Sequence, residues 1–292
     1  MAGNIIIGVD LGGTNVRTGR IEDGRISAIA SERIRSHGTM EEVLEDLVRC
    51  IGQVLTPQAE AIGLGVPAVV DTREGVVSDA VNIPSWKEVP LRRILEDRFG
   101  LPVYINNDAN CFAAGEWCYG KGKGVPDLVG LILGTGVAGG LICNDRLYEG
   151  RNCGAGEFGM LPYLDHNLEF YASGNFFPYA CGRSGEELFR DAAAGDAAAL
   201  AVFREYGRHV SSVIRSVLFT LDPQLIVLGG SVSKAFAYFK ESMWDGLRDF
   251  PYQPVIRNIR IEVSETDNIA LLGAAALFHS NARKPDVRTS SL

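Results

Sequence analysis

Three amides and one acid crowd the stretch Tyr104-Ile-Asn106-Asn107-Asp108-Ala109-Asn110. A single Asp or Asn at such a place is explained as a helix cap, but a cap does not use all four. A carboxylate within hydrogen-bond reach of a hydroxyl can take its proton as that oxygen attacks phosphorus. Asp108 is therefore the candidate general base, with Asn107 orienting the hydroxyl-bearing substrate. An exposed Asp with an ordinary pKa of about 3.9 is ionised at neutral pH and ready to accept.

Glycine-rich segments could supply the phosphate side of that chemistry. Asp10-Leu-Gly12-Gly13-Thr14-Asn15 sets a carboxylate beside backbone amides that can face phosphate, and Asp10 could hold Mg²⁺ directly or through a water. Taken alone, the string reads equally well as a hairpin turn. Gly134-Thr135-Gly136-Val-Ala-Gly-Gly140 packs four glycines into seven residues, which costs stability unless a close backbone approach is required. Gly229-Gly230 is a weaker signal, but each of the three follows an apolar, strand-like run. Together they point to nucleotide binding. None is followed by Gly-Lys-Ser/Thr, and Gly12-Gly13 lacks dinucleotide-fold spacing.

The elements that must position these residues follow from periodicity. Ile5 to Val9 predicts a buried strand, Val16 to Ile21 a second, Glu22-Asp-Gly24 a turn and Arg25 to Glu32 a third strand. Residues 40–55 carry apolar side chains at helical spacing, Leu91 to Phe99 predicts a helix, and Ala61 to Val66 and Val103 to Asn106 predict strands. The pattern then restarts with a strand at Leu128 to Leu133, a turn over residues 134–140, a strand at Leu141 to Cys143 and a turn at Asn144-Asp145. A long helical stretch interrupted near Gly195 runs to Leu221, and Leu225 to Leu228 is a strand. Ile259 to Val263 is another strand, Asn268 to Ser280 a small-residue helix, and a polar tail follows from Asn281. Two halves opening with one device imply duplicated α/β domains facing each other across a cleft. The expected division is an N-terminal domain over residues 1–115, joined by the helix at about 268–280, and a larger domain over 116–267.

A formal charge of −8 argues against a broad nucleic-acid surface. No apolar run approaches the roughly 20 residues of a membrane helix, and the first ten residues carry an acid and no cationic segment. A cytoplasmic protein is expected. Cys50, Cys111, Cys118, Cys143, Cys153 and Cys181 are scattered without a C-x-x-C pair, which suits reduced thiols.

Several motifs in order extend these signals: Asp10-Leu-Gly-Gly-Thr, Gly65-Val-Pro67, Asn82-Ile-Pro-Ser-Trp86, Asn107-Asp-Ala-Asn110, Leu133-Gly-Thr-Gly136, Gly156-Glu157-Phe-Gly159, Leu168-Glu169-Phe-Tyr-Ala-Ser-Gly174 and Leu228-Gly-Gly230. Over about residues 5–278 the chain resembles the ROK family (repressors, open reading frames, kinases). The resemblance implies an actin-like, ribonuclease H-like duplicated α/β fold of two domains, with a sugar in the interdomain cleft beside ATP and Mg²⁺. It implies Asp108 as catalytic base, and Asn82, Asn107, Glu157 and Glu169 on sugar hydroxyls, with Gly65 and Pro67 lining the sugar site. It places Asp10, Gly12, Gly13, Thr14, Asn15, Gly134, Thr135, Gly136, Gly229 and Gly230 around the nucleotide and its metal. A homodimer is also implied by the resemblance alone.

Zinc-bearing members of the family carry Glu-x-Gly-His followed by a cysteine cluster. Here Met160 ends Glu157-Phe-Gly-Met160, and Leu161 to Leu168 holds no cysteine, so zinc is not expected. The missing histidine also removes a sugar contact and widens the range of candidate sugars. The leading expectation is phosphorylation of a sugar hydroxyl, the 6-hydroxyl of glucose, mannose, fructose, allose or a related hexose. A β-glucoside or N-acetylhexosamine kinase and a non-catalytic sugar sensor are the alternatives. A family repressor would carry a DNA-binding helix-turn-helix, and four residues precede the first strand here. Trp86 could stack on a sugar or fill a core. His37, His209 and His279 suit ordinary surface or helix positions.

Overall fold

The apolar N-terminal run folds as the first strand of a meander, β1 (Ile5–Leu11), β2 (Asn15–Glu22) and β3 (Arg25–Arg33). The computed structural model describes residues 4–282, so residues 283–292 of the expected polar tail lie outside it. Asp23 and Gly24 take positive φ in the β2–β3 turn, the geometry a two-residue hairpin needs. Helix α1 (Met40–Val54) begins in a capping box in which Thr39 and Glu42 satisfy each other's amides. It buries Val43, Leu47, Cys50, Ile51 and Val54. Asp46 is buried among them because it accepts hydrogen bonds from the Arg35 and Arg49 guanidinium groups. The Arg35 bond holds the Asp46 carboxyl down at about 2.

Strand β4 (Ala59–Val66) pairs in parallel with β1. The strands β5 (Val69–Asp71), β6 (Val76–Ser78) and β7 (Glu88–Val89) form a small sheet of their own before α2 (Leu91–Phe99). Strand β8 (Val103–Asn107) then pairs in parallel with β4, completing the order β3-β2-β1-β4-β8. Trp86 is fully buried in the core beside this sheet, so of its two expected roles the structure gives it the core one. Helix α3 (Asp108–Tyr119) follows β8 without a break and is buried along most of its length from Ala109 to Trp117.

The second repeat starts with β9 (Leu128–Leu133) and β10 (Val137–Cys143), antiparallel across a turn of only three residues, 134–136. The expected seven-residue turn is thus shortened, since Gly139 and Gly140 pair with Leu131 and Gly130 inside the ladder. These glycines serve packing. A Cβ on Gly139 would lie 2.9 Å from the Phe158 ring, and its N–H donates to the Gly156 carbonyl at 2.8 Å.

Beyond β11 (Arg146–Leu147), the hairpin β12 (Pro162–Tyr163) and β13 (His166–Asn167) leads into α4 (Leu168–Ala172), α5 (Phe176–Cys181) and α6 (Gly185–Ala193). Gly195 at φ +84° separates α6 from α7 (Ala197–Leu221). Strand β14 (Leu225–Gly229) pairs in parallel with β9 and later with β15 (Arg260–Val263). Helices α8 (Phe236–Asp245) and α9 (Gln253–Asn258) lie between them in sequence.

The final helix, α10 (Ile269–Ala282), packs on β1, β4 and α3. Glycines permit that approach, since a Cβ on Gly63 would come 1.8 Å from the Ala274 carbonyl, and one on Gly273 2.0 Å from the Cys111 carbonyl. The described chain divides into two compact units: residues 4–123, 146–155 and 266–282 fall in one, and 124–145 with 156–265 in the other. The expected division had assigned 116–123 and 146–155 to the second domain. Residues 116–119 complete α3, and residues 146–155 are bound to the β8–α3 junction by hydrogen bonds described below. No helix among the described residues is long and apolar enough to cross a membrane.

Candidate active site

In the first unit, strand register gathers the expected residues. Asp10 lies opposite Gly65 across β1 and β4, and Gly65 opposite Asn106 across β4 and β8. All three sit at the C-terminal ends of parallel strands, where α/β sheets bind ligands. Gly65 is closely packed, since a Cβ there would stand 3.1 Å from Cys111 Sγ and would require a small shift. The Pro67 carbonyl accepts the Val81 N–H at 2.9 Å, which draws the next residue, Asn82, toward the strand end. Asn82 takes a left-handed φ of +66°, and a Cβ on Gly13 would lie 2.6 Å from its own Cβ. The Asp10–Asn15 turn is closed by Gly12 N–H donating to the Asn15 carbonyl at 2.9 Å, while the Thr14 carbonyl accepts from Ile34.

Asp108 is the first residue of α3. The Asn107 side chain caps that helix through Asn110 N–H at 2.8 Å, so the capping role and the proposed base fall on adjacent residues. One Asp108 oxygen accepts the Ala109 N–H at 2.9 Å. Its pKa is raised, because desolvation outweighs the backbone hydrogen bonds that lower it. The residue is exposed, as expected, and only the direction of its pKa departs from the ordinary carboxylate expected. Desolvation also raises Asp10, opposed by the charge of Arg17, its partner across the β1–β2 ladder, and assisted by the charge of Asp108. Asp10, a carboxylate at a strand end, is the residue that could hold a hard divalent cation such as Mg²⁺, directly or through a water.

In the second unit the three-residue turn meets two other loops. The Gly134 carbonyl accepts the Gly174 N–H at 2.7 Å, and the Thr135 carbonyl accepts from Asn175 Nδ2 at 3.2 Å. Gly230, at φ +86°, lies so close to Leu133 that a Cβ would meet its carbonyl at 2.3 Å. Gly229 is the last residue of β14 and pairs with Ile132. The Glu169 carboxylate accepts the Val137 N–H at 3.0 Å, and a Cβ on Gly136 would come 2.6 Å from the same oxygen. One oxygen of this expected sugar ligand is therefore engaged with the glycine turn. Glu157 is exposed and opens a 3₁₀ turn, Phe158–Met160, whose Gly159 packs against the Glu169 side chain.

Beside Gly174 and Ser231 lies a cavity of about 770 Å³, walled by Phe177, Phe189, Phe203 and Val232, with Ser184, Glu186 and Lys234 among its polar groups. Sequence reading missed this recess. Gly229-Gly230 leads directly into Val232, and Phe189, an exposed aromatic on an otherwise amphipathic helix, was the available signal. An apolar slot beside a glycine turn is a shape that could take a nucleotide, its base in the slot and its phosphates at the turn.

The hairpin at 162–167 is tied by rings. His166 stacks on Phe170 at 4.1 Å between ring centroids, and Tyr163 OH shares a hydrogen bond with His209 Nδ1 at 3.2 Å. His209 thus has a partner that sequence reading had not assigned, and desolvation lowers its pKa. Among the described residues no group of three or more His, Cys, Asp or Glu side chains converges as a metal cluster.

Two sheets of matching order, each with a glycine turn after its first strand, and a strand-end acid at the head of a buried helix define the actin-like α/β kinases. The sequence profile of the ROK family matches residues 6–281, and the chain belongs to that family. A glucokinase from Thermotoga maritima is 26% identical, with 94% of this chain and 96% of the relative covered. An N-acetyl-D-glucosamine kinase from Erwinia tasmaniensis is 31% identical over 93% of this chain and 98% of its own. Among solved structures, a ROK family glucokinase from Streptomyces griseus in complex with glucose and AMPPNP superposes with a TM-score of 0.79 at 28% identity, covering 94% and 99% of the two chains. A ROK hexokinase from Thermus thermophilus gives 0.77 at 30%, covering 94% and 97%. The protein is a sugar kinase of this family.

Proposed function

We propose that the protein transfers the γ-phosphoryl group of ATP to a hexose hydroxyl, the 6-hydroxyl, with Asp108 as general base. The observation that carries the reading is Asp108 at the start of α3, beyond the β8 strand end and two strands from Asp10 across the sheet. Asp108 takes the hydroxyl proton as the sugar oxygen bonds to phosphorus and the bond to the departing ADP breaks. The raised pKa of Asp108 makes it a stronger proton acceptor than a carboxylate of ordinary pKa. Asn107 and Asn82 orient the sugar, with Glu157 and the second oxygen of Glu169 as further acceptors for its hydroxyls. Backbone amides of Gly13, Thr14, Thr135 and Gly136 and those beside Gly230 hold the phosphates, the Gly12 and Gly134 amides being used to close their own turns. Mg²⁺, held by Asp10 directly or through water, would neutralise charge on the transferred group.

The similarity to N-acetyl-D-glucosamine kinases at 30–31% identity favours an N-acetylhexosamine as the second substrate reading. ADP release with Mg-ATP across glucose, mannose, fructose, allose, N-acetylated hexosamines and β-glucosides separates the candidates. Asp108→Asn is expected to bind sugar while losing about 100-fold or more in turnover. Retention of more than about a tenth of wild-type activity would remove Asp108 from its role.

A further inference from the structure

Residues 146–155 lie in sequence between two stretches of the second unit, yet they belong to the first. Their anchor is a chain of polar contacts to the β8–α3 junction. The Glu149 carboxylate accepts from Thr72 Oγ1 and from Asn106 Nδ2, both at 2.9 Å. Cys153 donates its S–H to Asn106 Oδ1 at 3.1 Å, and its carbonyl accepts from Asn107 Nδ2 at 3.4 Å. Asn106 Oδ1 accepts two more bonds, from Asn107 N–H and Asn110 Nδ2, each at 2.9 Å.

We propose that Glu149 is a positioning residue for Asp108, acting by fixing the amide orientation of Asn106. The inference rests on the reading of Asp108 as the base. An ionised carboxylate only accepts hydrogen bonds, so Glu149 draws the NH₂ end of Asn106 toward itself and turns Oδ1 to the junction. In the reversed orientation that NH₂ would face the Asn107 N–H and the Asn110 NH₂, both donors only, and the Cys153 thiol, whose sulfur is a weak acceptor already taken by Asn110 Nδ2 at 3.6 Å. Asn106 and Asn110 are 1% and 0% exposed, so water has little access to repair the mismatch. Asn110 Oδ1 already lacks a protein partner, which leaves the cluster little tolerance for a second unmet group. Asn107, whose N–H this network holds, immediately precedes the base. The hydrogen bond from Asn106 therefore governs where the Asp108 carboxylate stands.

Glu149→Leu removes the acceptor, whereas Glu149→Gln keeps a carbonyl oxygen for Asn106. In the full chain, Glu149→Leu is expected to lower kcat about tenfold to 100-fold, with the sugar KM changed by less than about threefold. Deuterium exchange without substrate should accelerate in the peptide covering residues 105–112 and stay unchanged in α7. Glu149→Gln should restore kcat to within about threefold of wild type. If Glu149→Leu does not fold, Cys153→Ala compared with Cys153→Ser reads the same network from its other donor, and the serine should retain more turnover. A Glu149→Leu enzyme with kcat within twofold of wild type, or slow exchange at 105–112, overturns the proposal. A wild type inactive on every sugar would instead overturn the kinase reading, while the exchange result still decides the role of Glu149.

Discussion

The two glycine turns occupy the same place in two sheets of matching order, yet they obtain their acid differently. In the first unit Asp10 belongs to the strand itself and stands two residues before Gly12, whose N–H closes the turn on Asn15, and its desolvation is opposed by Arg17 across the ladder. In the second unit the turn at 134–136 carries no acid, and Glu169 reaches it from α4 to accept the Val137 N–H. A carboxylate already bound to a backbone amide is a poorer cation ligand than one left open. On the proposed reading the repeat gives metal chemistry to the Asp10 turn and phosphate binding to the other, which has an apolar cavity beside it.

Asp10→Asn should break this division most severely. Turnover is expected to fall roughly 100-fold, and the Mg²⁺ concentration for half-maximal rate should rise. An unchanged Mg²⁺ dependence would make the Asp10 turn an ordinary hairpin. Gly136→Ala tests the second turn, because the added methyl would stand 2.6 Å from a Glu169 oxygen. An increase of about tenfold in the KM for ATP is expected, with a smaller one for Gly12→Ala, whose methyl would meet the Asn15 carbonyl at 3.2 Å. Equal effects would remove the distinction between the turns.

The smallest effect concerns His209. Its folded pKa lies below the ordinary 6.5, so the unfolded chain binds more protons as pH falls. The stability it contributes is full above about 6.5 and is lost as pH drops through that value toward the depressed one. Melting midpoints at pH 7.5 and 5.5 should show a decline in wild type that is reduced in His209→Phe. An equal decline in both would assign the pH sensitivity elsewhere.

Much of the site was legible because its residues are local in sequence. Asp108 and Asn107 adjoin at a strand–helix junction, and each glycine turn follows an apolar strand, so type and spacing were sufficient. The length of the second turn was misjudged, since nothing local shows that Gly139 lies under Phe158 and Gly156. The acidity of Asp108 was misjudged for a similar reason, because desolvation is contributed by distant segments. The cavity beside Gly174 was missed because its phenylalanines come from α5, α6 and α7, and no local pattern joins them.

By itself the sequence determined the duplicated strand–turn–strand order, the identity of the acids and amides at the strand ends, and membership of the ROK family. These depend on residue type and short-range periodicity, which survive in one dimension. Only the tertiary structure decided that residues 146–155 belong with the first unit, that Glu169 serves the glycine turn, and that Glu149 orients Asn106. Glu149 and Asn106 are 43 residues apart in the chain. Their bond exists because folding excludes water from Asn106, and that exclusion is a property of the packed chain and not of any stretch within it.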